Sequence, residues 1–557
     1  MKIFLLLLQT FVLLYASGYK ATSQEDVALK KMIGRMLIVG FNEQTLFYDS
    51  SIVEDIQDYD LGGVILFDRF YNDKKRVKNI LGPYQLKNLI NELKMYSKKP
   101  LFIGVDQEGG KVARLKPKYG FLQIPSALKV AKMPLNEARK IYKGEAKMLQ
   151  NLGINLNFAP VVDLSVNPKN KVIFGLGRSY AKSSDKVVKY ASLVIEENDK
   201  HNVLSVLKHF PGHGSSLTDS HKGFVDVSDT WTKEELTPYK MLIKAGKADA
   251  IMTAHVFNKH LDPKYPATLS YKVNTQLLRN RLHFTGLIIS DDMQMKAISA
   301  HYSLKESTAL AINAGVDVLL FGNQLAHNST KEIVDTIFAQ VKDGTIAKEK
   351  IIQANRHIAN MHTKNAIIQK PIIFTQKRIN LTKEYIKKHY GLSVKTITIK
   401  PKTIVLHWTA VMDFEKSFAR LNSEKLLSDR KDIAKASSLN VSAHFLVDRD
   451  GTIYQLMPEN WMARHVIGLN YSSIGVENVG GEANKKEDLT QAQLRANIQL
   501  VNYLKEKYPS IQNVIGHYEY RDFEHSKLWL EKDAGYRTKK VDPGENFMQR
   551  VRESIDK

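Results

Sequence analysis

The chain has 557 residues, 43% of them apolar and 25% charged, a formal net charge of +23 and no cysteine. That length exceeds one ordinary core and suggests about two to four domains. Without cysteine there is no disulfide, thiolate nucleophile, Cys-based zinc site or Cys-borne lipid anchor, and the charge comes from scattered lysines with no arginine-rich arm, which argues against nucleic acid as a partner.

Residues 1–18 open with Met1-Lys2, continue through an apolar run from Ile3 to Tyr15 and reach Ala16-Ser17-Gly18. The run is shorter than the ~20 apolar residues that span a bilayer and ends in small residues of the kind signal peptidase cleaves. It is expected to be a signal peptide, with the mature protein exported, periplasmic or extracellular, and without stable membrane insertion.

Beyond it, short apolar runs alternate with helix-like stretches: Met36–Gly40, Val64–Phe67, Leu101–Val105, Ile154–Ala159, Val203–Leu207, Ala250–Ala254, Leu287–Ser290 and Val318–Phe321. This β/α alternation predicts a parallel sheet, and the runs, lying within residues 25–365, fit an α/β fold of the TIM-type (β/α)8 barrel class. Polar motifs follow the runs at their carboxyl ends, the face on which such barrels carry chemistry. Asp106-Gln107-Glu108-Gly109-Gly110 follows the third, Asp163 the fourth, His255 the sixth, Ser290-Asp291-Asp292-Met293 the seventh and Gly322-Asn323 the eighth. After the fifth comes a loop, Lys208-His209-Phe210-Pro211-Gly212-His213-Gly214, running on to Asp219-Ser220-His221-Lys222. Its histidines and glycines exceed what packing needs, and Asp219 is close enough to His221 for a carboxylate to bias the imidazole.

With its flanks this loop resembles the β-N-acetylglucosaminidases of glycoside hydrolase family 3, in which K-H-F-P-G-H-G is followed by D-S-H. The resemblance covers residues 25–365 and implies a retaining glycosidase that needs no cofactor. Asp291, of the S-D pair, would be its nucleophile, and His221, oriented by Asp219, its acid–base group in place of the usual second carboxylate. Asp292 stays open as the local alternative nucleophile. The resemblance also implies that Asp106, Arg178 (in Gly177-Arg178-Ser179-Tyr180), Lys208 and His209 bind the sugar hydroxyls and the N-acetyl group.

Residues 366–379 are the expected connection, with no Gly/Ser-rich or Pro-rich spacer, and residues 380–557 the second domain. Thr403-Ile404-Val405-Leu406 reads as a strand that delivers His407-Trp408-Thr409. Ala443–Val447 and Thr452–Leu456, separated by Asp448-Arg449-Asp450-Gly451, read as a hairpin, and Ser473–Glu477 as a further strand. Thr490 and Gln493 form a capping box ahead of a helix whose Leu494, Ile498, Val501 and Leu504 cover a sheet. Asn513–His517 and Lys540-Val541-Asp542-Pro543-Gly544 complete the set. Histidines and an aspartate on separate elements suit zinc, with a position left for water.

Residues 380–557 resemble type 2 N-acetylmuramoyl-L-alanine amidases, a smaller α/β zinc domain with a central mixed sheet. The resemblance implies His407, His517 and Asp542 as Zn2+ ligands, Glu477 as the base for the attacking water and Lys540 as the cation facing the developing oxyanion. His444 is expected to be structural and His465 to contact substrate. The long stretch between His517 and Asp542, with Glu519, Asp522, Glu524 and His525, would either cover the site or offer a rival ligand. Together the resemblances imply a bifunctional exported hydrolase of peptidoglycan fragments (muropeptides), acting in cell-wall turnover or recycling. It would cut the β-linkage after N-acetylglucosamine and the amide between the muramic lactyl group and L-alanine. Two alternatives stand beside this: one active domain joined to a wall-binding module, or an N-acetylglucosaminidase directed at chitooligosaccharides.

Overall fold

The computed structural model describes residues 23–218 and 223–555. The expected signal peptide, residues 1–18, and the Asp219–His221 dyad lie outside the described residues. The chain divides into two compact units, one built from the residues up to Asn198 with Val203–Ile358, the other from Asp199–Asn202 with everything from Ala359 on. Among the described residues no helix is long and apolar enough to cross a membrane.

In the first unit eight strands close into a parallel barrel: β1 Leu37–Gly40, β2 Gly63–Leu66, β3 Phe102–Val105, β4 Leu156–Asn157, β5 Leu204–Phe210, β6 Ala250–Thr253, β7 Leu287–Asp292 and β8 Val318–Phe321. Each pairs with the next in sequence, and β8 pairs with β1 through Leu37 opposite Leu319. Every predicted apolar run is one of these strands. The runs show no in/out alternation because both faces are covered, one by the barrel interior and one by the helices that follow, so that β1, β2, β3 and β8 are buried at every position. Helix ends follow local chemistry. Leu304–Ala314 opens with a Ser303/Glu306 capping box and stops at Gly315, whose φ of 97° an L side chain would resist.

β5 is longer than its apolar run. Lys208 donates its N–H to Pro160 O and accepts from Val162 N at 2.9 Å, so the ladder with the chain after β4 continues past Leu207. Lys208 and His209, predicted to lie on a loop, therefore sit on the last turn of a strand, held by its register.

The second unit is built on a mixed six-stranded sheet. Its strands are β9 Ile368–Gln369, β10 Thr403–Trp408, β11 Phe445–Val447, β12 Ile453–Gln455, β13 Ser473–Asn478 and β14 Asn513–Gly516, in the order β9-β12-β11-β13-β10-β14. Only β11 and β12 are antiparallel, joined by the predicted hairpin, where Gly451 donates to Asp448 O at 2.9 Å with φ at 89°. The helix Gln491–Lys507 opens with the Thr490/Gln493 capping box and buries Leu494, Val501 and Leu504 against Ile404, Leu406 and Val476. Val405 faces the other way, into a cluster with Tyr385, Tyr390, Tyr520 and Tyr536. Alternation along β10 then places His407 on the Val405 face, away from the long helix.

Candidate functional site

At the carboxyl ends of the barrel strands lies a cavity of about 520 Å³ lined by Asp106, Glu108, Arg178, Lys208, His209 and Asp291 among others. Asp106 and Glu108 leave β3 two residues apart, so both carboxylates reach the same side. Lys208 Nζ donates to Asp106 Oδ1 at 2.8 Å and pairs with Glu108 Oε1 at 2.7 Å. Arg178 grips Glu108 with two parallel bonds of 2.7 Å, and Arg114 Nη2 reaches Asp106 Oδ2 at 3.1 Å. Burial opposes each of these charges, but the pairing outweighs it. Lys208 and Arg114 hold Asp106 well below the usual carboxylate range, Arg178 and Lys208 lower Glu108, and the two carboxylates push Lys208 up.

The network continues into the imidazoles. Arg178 Nη2 lies 3.2 Å from His209 Nε2, and a guanidinium can only donate, so Nε2 accepts and the ring proton sits on Nδ1. Nδ1 donates to Asp163 Oδ2 at 2.6 Å, and Asp163 also accepts the backbone N–H of His209 at 3.2 Å and of His213 at 2.8 Å. Burial works against the Asp163 carboxylate, and His209 more than compensates, holding it low. The His213 imidazole is pushed down to about 4 by burial and by His209, and bonds Ser216 Oγ at 2.7 Å.

The two aspartates ending β7 differ in what they serve. Asp292 Oδ1 accepts from Gln294 N at 3.0 Å and Gly322 N at 3.2 Å, tying β7 to β8. Asp291 Oδ1 accepts the adjacent Asp292 N–H at 2.8 Å, and its side chain lines the cavity. His255 sits behind them, its Nε2 donating to Asp292 O at 2.9 Å.

In the second unit His407 at the end of β10, His517 after β14 and Asp542 near the last helix converge. His407 Nδ1 and His517 Nδ1 are 3.0 Å apart, and each faces Asp542 Oδ2, at 3.2 and 3.0 Å. All three are buried and, among the described residues, form a group able to hold a metal ion. Ligands at 2.0–2.1 Å around a tetrahedral zinc ion stand about 3.3 Å apart, close to these edges, and two imidazoles with a carboxylate are a donor set zinc accepts. The residues fit the ion. None of Glu519, Asp522, Glu524 and His525 joins the group; Glu519 accepts from Gly516 N and Glu524 pairs with Arg521 at 2.7 Å. The stretch carrying them is a packed wall instead, with Tyr520, Trp529 and Tyr536 set against Tyr385 and Tyr390.

The cavity beside the triangle, about 330 Å³, is lined by Trp408, Arg420, Arg430, His465, Glu477, Tyr536 and Lys540 with His407, His517 and Asp542. The Glu477 carboxyl is pushed up to about 7 by burial, with Asp542 adding to the effect and His407 opposing it, and its Oε2 has no hydrogen-bond partner among the described residues. His444 donates from Nε2 to Trp461 O at 2.8 Å and accepts Gly475 N at Nδ1, 2.9 Å, a structural role as expected. His465, expected to contact substrate, lies on the wall of this cavity with its nitrogens facing His407 Nε2 at 3.0 Å and Ser473 Oγ at 3.2 Å.

Residues 28–361 match the glycosyl hydrolase family 3 N terminal domain. The chain belongs to that family. Residues 398–545 match the N-acetylmuramoyl-L-alanine amidase domain, so two hydrolase domains share one chain. Over 385 residues the chain is 34% identical to the beta-hexosaminidase A of Pseudoalteromonas piscicida, a match covering 62% of this chain and 63%, under two thirds, of that protein. A beta-hexosaminidase of Actinobacillus pleuropneumoniae serotype 5b is 34% identical over 339 residues, 59% of this chain and 90% of its own length. The crystal structure of a glycosyl hydrolase of the GH3 family from Mycobacterium smegmatis superposes with a TM-score of 0.52 at 26% identity, covering 60% of this chain and 96% of that one.

Glu108 and Asp163, central to the barrel network, were not among the predicted site residues. Both stood in motifs already placed at strand ends. For Glu108 the i, i+2 spacing with Asp106 was a usable signal.

Proposed function

We propose that the chain is an exported, bifunctional hydrolase of peptidoglycan fragments: a retaining β-N-acetylglucosaminidase and a zinc-dependent N-acetylmuramoyl-L-alanine amidase. The observation that carries this reading is the presence in one chain of Asp291 on a cavity walled by paired Asp106, Glu108, Arg178 and Lys208, and of the His407–His517–Asp542 triangle beside Glu477.

In the barrel, Asp291 attacks the anomeric carbon while His221, oriented by Asp219, protonates the leaving oxygen and then takes a proton from the incoming water. Asp106 accepts from sugar hydroxyls; Lys208, Arg178 and His209 stand around the ring and the N-acetyl group. In the amidase domain, zinc held by His407, His517 and Asp542 supplies Lewis acidity towards water and the amide carbonyl. Glu477, with a carboxyl tuned near neutrality, takes the proton of the attacking water and passes it to the leaving nitrogen. Lys540, on the wall of the same cavity, faces the carbonyl oxygen as charge develops on it. The apolar run of residues 1–18 supports export.

The test uses one defined disaccharide-peptide, N-acetylglucosamine linked to a muramoyl peptide, with products resolved by chromatography and mass. Free N-acetylglucosamine and free peptide are both expected. Asp291→Ala should remove only the first, and His407→Ala or a chelator only the second. Release of neither product by the wild type rejects the reading, and loss of both from one substitution rejects two separate sites.

A further inference from the structure

We infer that His465 is a positioning residue for the amidase site: it sets which nitrogen of His407 carries the proton, leaving Nδ1 bare for the metal. This rests on the reading of His407, His517 and Asp542 as zinc ligands.

The direction of the hydrogen bonds can be followed from an end that has no choice. Ser473 Oγ lies 2.8 Å from Leu469 O, and a carbonyl can only accept, so the hydroxyl proton points there. Ser473 Oγ is then the acceptor for His465 Nε2 at 3.2 Å, and that nitrogen carries a proton. The His465 ring is buried, its hydrogen-bond partners are the hydroxyl and backbone of Ser473 and another imidazole, and no carboxylate among them balances a second proton. Its Nδ1 is therefore an acceptor, and the atom facing it at 3.0 Å, His407 Nε2, is the donor. A His407 protonated at Nε2 offers a lone pair at Nδ1, and Nδ1 is the atom directed at His517 Nδ1 and Asp542 Oδ2. A metal-bound imidazole is held in this way by the partner of its other nitrogen.

The seat of the ring is built for it. A Cβ on Gly475, two residues before Glu477 on β13, would stand 2.6 Å from His465 Cγ and 2.7 Å from Nδ1, so the strand lets the ring lie across it only because this residue has no side chain. Asn470 Oδ1 accepts the backbone N–H of both His465 and Val466 at 2.8 Å and fixes the turn that presents the ring. The His407 and His465 rings meet edge to face, at 87°.

The experiment measures zinc affinity of the full-length protein by competition with a chromophoric chelator, alongside KM for the amide substrate at saturating zinc. His465→Ala should weaken zinc binding roughly 10–100-fold with KM unchanged. His465→Gln, whose side-chain carbonyl accepts from His407 Nε2–H, should recover most of that loss, and thermal melts of both variants confirm a folded second unit. Unchanged affinity in His465→Ala, or a raised KM with affinity intact, overturns the proposal. A wild type that binds no zinc removes the ligand reading instead. The tautomer is then read from ring ¹⁵N shifts of His407 in the metal-free protein, where an Nδ1–H form would overturn the proposal and an Nε2–H form lost in His465→Ala would uphold it.

Discussion

His407 and Glu477 occupy paired positions on the adjacent parallel strands β10 and β13, one register step beyond Leu406 and Val476. The apolar pairs behind them hold that register, because a slip of one residue would turn Ile404, Leu406, Ile474 and Val476 out of the core. The core of the sheet thus places the His407 imidazole next to a carboxyl that burial pushes up to about 7.

Glu477→Gln keeps the shape and removes the base. Peptide release should fall on the order of 10²–10⁴-fold while zinc content and N-acetylglucosamine release stay at wild-type levels. Turnover assays with metal analysis check this, and a mutant that still cleaves the amide at full rate would remove Glu477 from the proton path.

The neighbouring aspartates of β7 should separate cleanly. Asp291→Ala should lower glycosidase turnover by at least about 10³-fold with little change in melting temperature. Asp292→Ala leaves the N–H groups of Gln294 and Gly322 without their acceptor and should destabilise the barrel by about 1–3 kcal/mol. Paired kinetics and calorimetry distinguish the two; the reverse pattern would exchange their roles.

Glu108→Gln breaks a buried pair and leaves Arg178 without its bidentate partner. The expected cost is about 3–5 kcal/mol of unfolding free energy, with loss of glycosidase activity and amide cleavage spared. Denaturant titration reads the first and product analysis the second.

Glu145, buried in the helix Leu135–Leu152 with Oε1 unpartnered among the described residues, has its carboxyl pushed up to about 8 by burial alone. The unfolded chain releases this proton above about pH 4.3, the folded chain only near 8, so between those values folding takes up a proton. The unfolded state binds fewer protons there, and stability falls as pH rises, by up to about 1.4 kcal/mol per pH unit from this group, levelling off above 8. Glu145→Gln should match the wild type at acid pH and exceed it at pH 8; equal pH profiles of the two would contradict the assignment.

The barrel was legible because its strands are unbroken apolar runs and its polar residues gather at one end of each. Asp163 was visible at the end of the fourth run but without a partner, since the N–H groups it accepts belong to His209 on β5 and His213 just after it, which only folding brings alongside. The extension of β5 through Phe210 was hidden for the same reason: polar Lys208 and His209 end the apolar pattern, yet hydrogen bonds from the chain after β4 carry the ladder on. In the second unit the hairpin and the capping box were readable from residue type and spacing, whereas His407, His517 and Asp542 were joined into one set by the resemblance to type 2 amidases, and the fold brings the three together. His465 was not readable in either way. Its role depends on a glycine across the sheet and on the order of donors in a chain of four groups. The charges of the stretch after His517 made it a candidate either to cover the site or to offer a rival ligand; its Tyr520, Trp529 and Tyr536 pack as core, and Tyr536 also lines the cavity.

The ion pairs of Asp106, Glu108, Arg178 and Lys208, with Asp163 behind them, are already matched donor to acceptor. On the proposed function, a sugar entering this cleft would meet dipoles that need no rearrangement, so its hydroxyls would join a frame set at folding and little affinity would be lost to ordering side chains. The same rigidity makes the cleft intolerant. A ligand bearing its own charge at that wall would have to part a matched couple to be held, and neutral pyranose rings are admitted on better terms than ionised ones.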